Sequence, residues 1–159
     1  MNQELLENVG RDQILAAVAR TFEDRIPFNR ILGFDIKLQK DGTARLSFQM
    51  RDELIGNFLR GNLHGGVISS SLDVVGGLVA FVALLDQNPV QSFDEASEQF
   101  SKLGTVDLRV DFLRPGLGGF FVATGSKLRA GRRIAVARME LHNDSGTLIA
   151  VGTGTYSIG

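Results

Sequence analysis

The sequence predicts an α+β fold: a curved antiparallel sheet of about six strands wrapped around one long central helix, with a further helix at the N-terminus. Residues 67–85 are apolar on nearly every side. Shorter runs before and after them alternate apolar and polar residues, the period of a half-buried strand. Turn-forming pairs punctuate those runs. A helix without a polar face must be enclosed, and a sheet with one apolar face needs something to cover.

In residues 13–22, Ile14, Leu15, Val18 and Phe22 recur at helical spacing, and Pro27 ends that helix at the latest. The expected organisation is a helical segment over 1–27 that covers an edge or face of a main domain over 28–159. The runs 31–38 and 43–50 flank Lys40-Asp41-Gly42, a strong hairpin signal. In the second run Ala44, Leu46, Phe48 and Met50 alternate with Thr43, Arg45, Ser47 and Gln49.

Residues 67–85 are long enough to cross a bilayer. Asp73, three consecutive serines (Ser69, Ser70, Ser71), Gly76 and Gly77 interrupt them, and an uncompensated carboxylate at bilayer depth is costly. A buried core helix, with no membrane partner, is the expectation. Residues 87–102, with Pro89, Asp94, Glu95 and Glu98, predict a surface excursion with a helical turn or two. Strands then follow over 105–113, 119–128, 133–143 and 148–158. Pro115-Gly116, Ala130-Gly131 and Asn143-Asp144-Ser145-Gly146 lie between them, so consecutive pairing as a meander is expected. In the first of these strands Val106, Leu108, Val110 and Phe112 are expected to face the core and Thr105, Asp107, Arg109 and Asp111 the solvent.

The composition narrows the chemistry. Lys and Arg number 17 against 18 Asp and Glu, so no overall field recruits nucleic acid or an anionic membrane. There is no cysteine and there are only two histidines, His64 and His142. That composition excludes a disulfide scaffold and a Cys nucleophile, and argues against a zinc site. The N-terminus carries Glu4, Glu7 and Arg11 and lacks an apolar stretch, which predicts a cytoplasmic protein.

The segment Gly61-Asn62-Leu63-His64-Gly65-Gly66 precedes the apolar helix. The amides of Gly65, Gly66 and Val67 are therefore expected unpaired at its N-terminus, where the helix dipole favours an oxygen gaining negative charge. Glycine lets a carbonyl approach the backbone closely. Asp73 lies two turns further in, about 10 Å from Gly66 by the helical rise, and cannot reach a group held at its own helix end. Two such helices packed antiparallel across a two-fold axis would bring each Asp73 to the other's glycine loop. His64 either braces the turn or orients the carbonyl, and Asp73 is either a structural carboxylate bonded to Ser69 or Ser70 or a functional one.

Leu63-His64-Gly65-Gly66 followed by Asp73 resembles the PaaI-type (4HBT) acyl-CoA thioesterases of the hot-dog fold. The stretch from Thr105 to Pro115 and the turn Ala130-Gly131-Arg132-Arg133 resemble the same group, and the likeness runs from about Phe28 to the C-terminus. The resemblance implies hydrolysis of an acyl-CoA to free acid and CoA by a homo-oligomer, a dimer or a dimer of dimers, with no resident cofactor or metal. It implies that Asp73 is the general base or nucleophile, that Gly65 and His64 hold the thioester oxygen beside Gly66, and that Thr105 helps place water. Asn57 corresponds to a family asparagine, although the segment after it is one residue longer than the family spacing. The resemblance further implies basic side chains for the CoA phosphates, for which Arg114, Arg132 and Arg133 are the candidates. A hot-dog hydratase or dehydratase and a non-catalytic acyl-CoA binding or sensing domain are the alternatives. The His-Phe-Pro type loop and helix glutamate of the former do not occur here.

Overall fold

The computed structural model describes residues 10–159; the beginning of the expected segment 1–27 lies outside them. The elements are α1 (Arg11–Asp24), α2 (Pro27–Leu32), β1 (Asp35–Leu38), β2 (Ala44–Gln49), β3 (Ile55–Asn57), β4 (Asn62–Leu63), α3 (Gly65–Gln87), α4 (Phe93–Phe100), β5 (Gly104–Phe112), β6 (Phe120–Ala130), β7 (Ile134–Asn143) and β8 (Leu148–Ser157). Six strands form one antiparallel sheet in the order β1-β2-β6-β7-β8-β5, and β3 and β4 form a small separate ribbon. The expected hot-dog arrangement of sheet around helix is the one observed.

The 23 residues of α3 are its centre. Leu72, Val75, Leu78 and Ala80 have no exposed surface, and the sheet meets them in one cluster with the equally enclosed Leu46, Phe121, Ala123, Ala137, Met139 and Leu141. Alternation in β2 places Ala44, Leu46 and Phe48 inside. Small residues bring helix and sheet together: a β-carbon on Gly125 would sit 3.2 Å from the Val75 carbonyl oxygen. Long and apolar enough for a bilayer, α3 is instead the buried axis of the domain.

The N-terminal helix packs Ile14, Val18, Ala19 and Phe22 into this same core. Pro27 does not simply end a helix. It opens α2 at a position where a missing N–H costs nothing, so residues 31 and 32, expected in a strand, finish α2 instead. Gly33, at φ 69°, then turns the chain into β1. Buried Asn29 ties the two helices by donating to the Phe22 carbonyl at 2.9 Å. The Asp41-Gly42 hairpin forms as expected, with Gly42 at φ 83° and Leu38 opposite Ala44.

The C-terminal strands depart from the predicted meander. Strands β6, β7 and β8 do pair consecutively, but β5 pairs with β8 and ends the sheet. Pro115-Gly116 is therefore a crossover. Its Gly116 carbonyl accepts from the Leu63 amide at 3.0 Å, which anchors the connection beneath the loop that opens α3 and prevents a tight turn into β6.

The expected faces of β5 also change. Its register with β8 shifts between Thr105 and Asp107, a bulge that turns the flanking residues relative to each other. Thr105 pairs with buried Tyr156 and so lies, still exposed, on the α3 side of the strand, whereas strict alternation placed it on the opposite face. Val106, the bulged residue, is 61 % exposed.

Tyr156 lies between α3 and β8 in space that glycine alone leaves free. A β-carbon on Gly76 would fall 2.1 Å from the Tyr156 hydroxyl, and one on Gly154 2.5 Å from it. Gly76→Ala is expected to overpack the core and cost about 1–3 kcal/mol, measured as a lower urea midpoint at unchanged slope.

Candidate functional site

His64 caps α3 in an extended conformation, φ −64° and ψ 136°. Its Nδ1 accepts from the Gly66 amide at 2.8 Å, and its carbonyl accepts from the amides of Val67 at 3.0 Å and Ile68 at 3.3 Å. Of the amides expected to be unpaired, Gly66 and Val67 are therefore already bonded. The Gly65 N–H alone meets no acceptor among the described residues. With Nδ1 accepting from that amide, Nε2 is the ring nitrogen left to donate. Gly65 N–H and His64 Nε2–H are two donors at the positive end of a long helix dipole. The backbone of Gly56 holds this loop closely, since a β-carbon there would lie 2.6 Å from His64 Cα. Gly65 itself rests near the ring of Phe112, which its β-carbon would approach to 3.5 Å.

Asp73 is half-buried on α3, and its Oδ1 accepts from the Thr105 hydroxyl at 3.1 Å. The serines considered as its partners bond instead to the helix backbone, Ser69 to the Gly65 carbonyl and Ser70 to that of Gly66. Burial pushes the Asp73 carboxyl above its ordinary value, and the Thr105 hydrogen bond, with the Tyr156 hydroxyl close by, partly offsets that rise. Tyr156, the sole tyrosine in the chain, donates to the Asp73 carbonyl at 3.2 Å. Burial, with the Asp73 charge beside it, keeps the phenol protonated. Tyr156 is not among the residues expected at the site; a lone aromatic beside Gly152 and Gly154 in β8 is its one visible signal in the sequence.

One chain thus brings Asp73 to Thr105 and His64 to Gly65 and Gly66, but it does not bring the two groups together. Asp73 is eight residues beyond Gly65, about 12 Å along the helix. Exposed Asn57 is engaged locally: its Oδ1 accepts from the Leu59 amide at 3.0 Å, shaping the turn between β3 and β4. The arginines are also divided. Arg114, bonded to the Leu148 carbonyl at 2.9 Å, follows the Phe112 end of β5. Arg132 and Arg133 lie in the β6–β7 turn, near the Thr105 end through the pairing of Ile134 and of Gly104 with Ser157. The nine residues of β5 separate these ends by about 30 Å. A groove of about 650 Å³ beside His64 contains Phe28, Ile31, Arg30 and Arg51, the last two being basic candidates that the motifs did not reveal.

The thioesterase superfamily profile matches residues 60–150, from the loop before His64 through Asp73 and into β8. The chain belongs to the thioesterase superfamily. Medium/long-chain acyl-CoA thioesterases YigI of Escherichia coli and Salmonella typhimurium are each 45 % identical to this superfamily member over 148 residues, covering 93 % of it and 96 % of each relative. A crystal structure of a Shewanella oneidensis protein related to the thioesterase superfamily is 47 % identical, covers 93 % of this chain and 97 % of that one, and superposes with a TM-score of 0.87. A second crystal structure, from Syntrophus aciditrophicus, is 43 % identical with the same coverages and a TM-score of 0.82.

Asp73 yields two predictions. Because its folded-state pKa lies above the unfolded value, the stability tied to its protonation is complete below the unfolded pKa and is lost as pH rises through the folded one. Asp73→Asn is therefore expected to melt above the unsubstituted protein at pH near 7, with the gap closing below pH about 4. Thermal unfolding across pH checks this. Tyr156→Phe removes the hydroxyl whose closeness to Asp73 lowers that carboxyl's pKa. The acid limb of its kcat/KM profile is expected to move to higher pH, while a purely structural role would lower the rate without shifting that limb.

Proposed function

We propose that this thioesterase hydrolyses medium- to long-chain acyl-CoA at two equivalent sites, each completed by both subunits of a homodimer. The carrying observation is the division of the site along β5: Gly65 rests near Phe112 at one end, and Asp73 bonds Thr105 at the other. An edge strand leaves one row of backbone donors and acceptors unpaired. Two copies of β5 paired antiparallel about a dyad near the middle of the strand would bring the Thr105 end of one subunit alongside the Phe112 end of the partner subunit. Each Asp73 then faces the partner's Gly65. Phe112 and Leu113, 55 % and 49 % exposed in one chain, supply apolar surface for such an interface.

In this arrangement Gly65 N–H and His64 Nε2–H hold the thioester oxygen and stabilise the charge that develops on it. Asp73 of the other subunit activates water or attacks directly, with Thr105 positioned at its carboxylate, and CoA leaves as thiolate. No metal or resident cofactor is needed. The dyad also places Arg114 of one subunit at the same end of the joined sheet as Arg132 and Arg133 of the other, reassembling a basic patch for the CoA phosphates. We also propose a cytoplasmic setting, since the helix suited to a bilayer is enclosed in the core.

The test is release of free thiol from acyl-CoA. Gly65 occupies the first helical position after an extended His64, a site that accepts proline. Gly65→Pro is expected to keep the fold and abolish turnover by removing one N–H. Asp73→Ala is expected to be equally inactive. Mixing the two inactive proteins under subunit exchange should restore about a quarter of the native rate through random pairing. No recovery in demonstrated heterodimers would refute the shared site.

A further inference from the structure

We infer that the cleft between α1, α3 and α4 receives the distal part of the substrate's acyl chain and thereby sets chain-length preference. This inference rests on the thioesterase assignment and extends it to a binding site away from the reacting carbonyl. The cleft holds about 190 Å³ and is lined by Val18 and Phe22 of α1, Phe81 of α3, and Phe93 and Phe100 of α4. No charged side chain lines it among the described residues; Thr21 and Ser97 are its polar members. Apolar cavities of roughly 150 Å³ are enough to hold benzene, so hydrocarbon is the ligand that this size and lining suit.

Its position ties it to Asp73. Gly77 and Phe81 follow Asp73 on the next two turns of α3, placing Phe81 about 12 Å away along the helix. That is the length of roughly ten carbons in an extended chain of 1.5 Å bonds. Gly77 has no side chain on the way, but a β-carbon there would meet Tyr156 at 3.8 Å and Leu103 at 4.0 Å, so the chain passes when the Leu103 side chain swings aside. Leu103 in turn bonds through its amide to the Phe100 carbonyl at 3.0 Å. Phe100 meets Phe81 edge-on at 5.6 Å and Phe22 at 5.3 Å, forming an aromatic floor at the end of that path. A short acyl group would react at Asp73 without reaching these rings, and a long one would bury its tail among them.

Ala17→Trp and Ser97→Trp place a large ring in the cleft from partly or fully exposed positions. Both are expected to leave kcat/KM for butanoyl-CoA unchanged and to lower it for dodecanoyl- and hexadecanoyl-CoA at least roughly tenfold. Unchanged chain-length profiles in both variants, or an equal fall for every chain length, would overturn the inference. Failure of the thioesterase assignment would appear separately, as no thiol release by the unsubstituted protein from any acyl-CoA. In that event calorimetry with dodecanoate decides the cleft: binding lost in both tryptophan variants sustains it, and binding absent from the unsubstituted protein or retained in both variants removes it.

Discussion

Enclosure of α3 is the constraint from which the remaining structure follows. A helix with apolar residues on every side cannot rest on a flat surface, so the sheet curves around it and α1 and α4 close what the sheet leaves open. The enclosed part of the helix nevertheless carries a carboxylate, Asp73, and its desolvation raises the Asp73 pKa. A carboxyl displaced in that direction retains its proton nearer neutral pH and is a stronger base once it has lost it. Thr105 and Tyr156 moderate the shift without neutralising the group.

Two local irregularities make that environment. The bulge before Asp107 turns Thr105 from the solvent face to the helix face, placing its hydroxyl on Asp73. Gly76 and Gly154 clear the volume in which the Tyr156 hydroxyl reaches the Asp73 backbone. Each irregularity sacrifices regular strand or helix packing where a polar contact is made, in keeping with the placement of bulges and glycines at sites of close approach.

The donor end of the site obeys a different economy. His64 uses Nδ1 and its carbonyl to satisfy the first turn of α3, leaving Gly65 N–H as the open backbone donor. One residue thus braces the turn and presents its own Nε2–H, so the alternatives of bracing and direct contact are compatible. The helix that locates this donor end also holds Asp73 away from it, and β5 repeats the same separation on the sheet.

Much of this was legible in chemistry local to the sequence. The apolar run of α3, the Asp41-Gly42 turn, the alternation in β2 and the His64-Gly65-Gly66 loop ahead of Asp73 each depend on residues close along the chain, so periodicity and turn preference suffice to read them. The place of β5, the helix-side face of Thr105, the role of Tyr156 and the separation of Arg114 from Arg132 and Arg133 were not legible in that way. Each depends on pairing between distant segments: β5 against β8, Gly116 against Leu63, Tyr156 against Gly76. The amino-acid sequence by itself determined a buried helix carrying one acid and opening on one glycine loop. Tertiary structure alone decided which side chains meet that acid and which end of the sheet holds each group of candidate residues, because strand order and a one-residue register shift arise from contacts that no local pattern encodes.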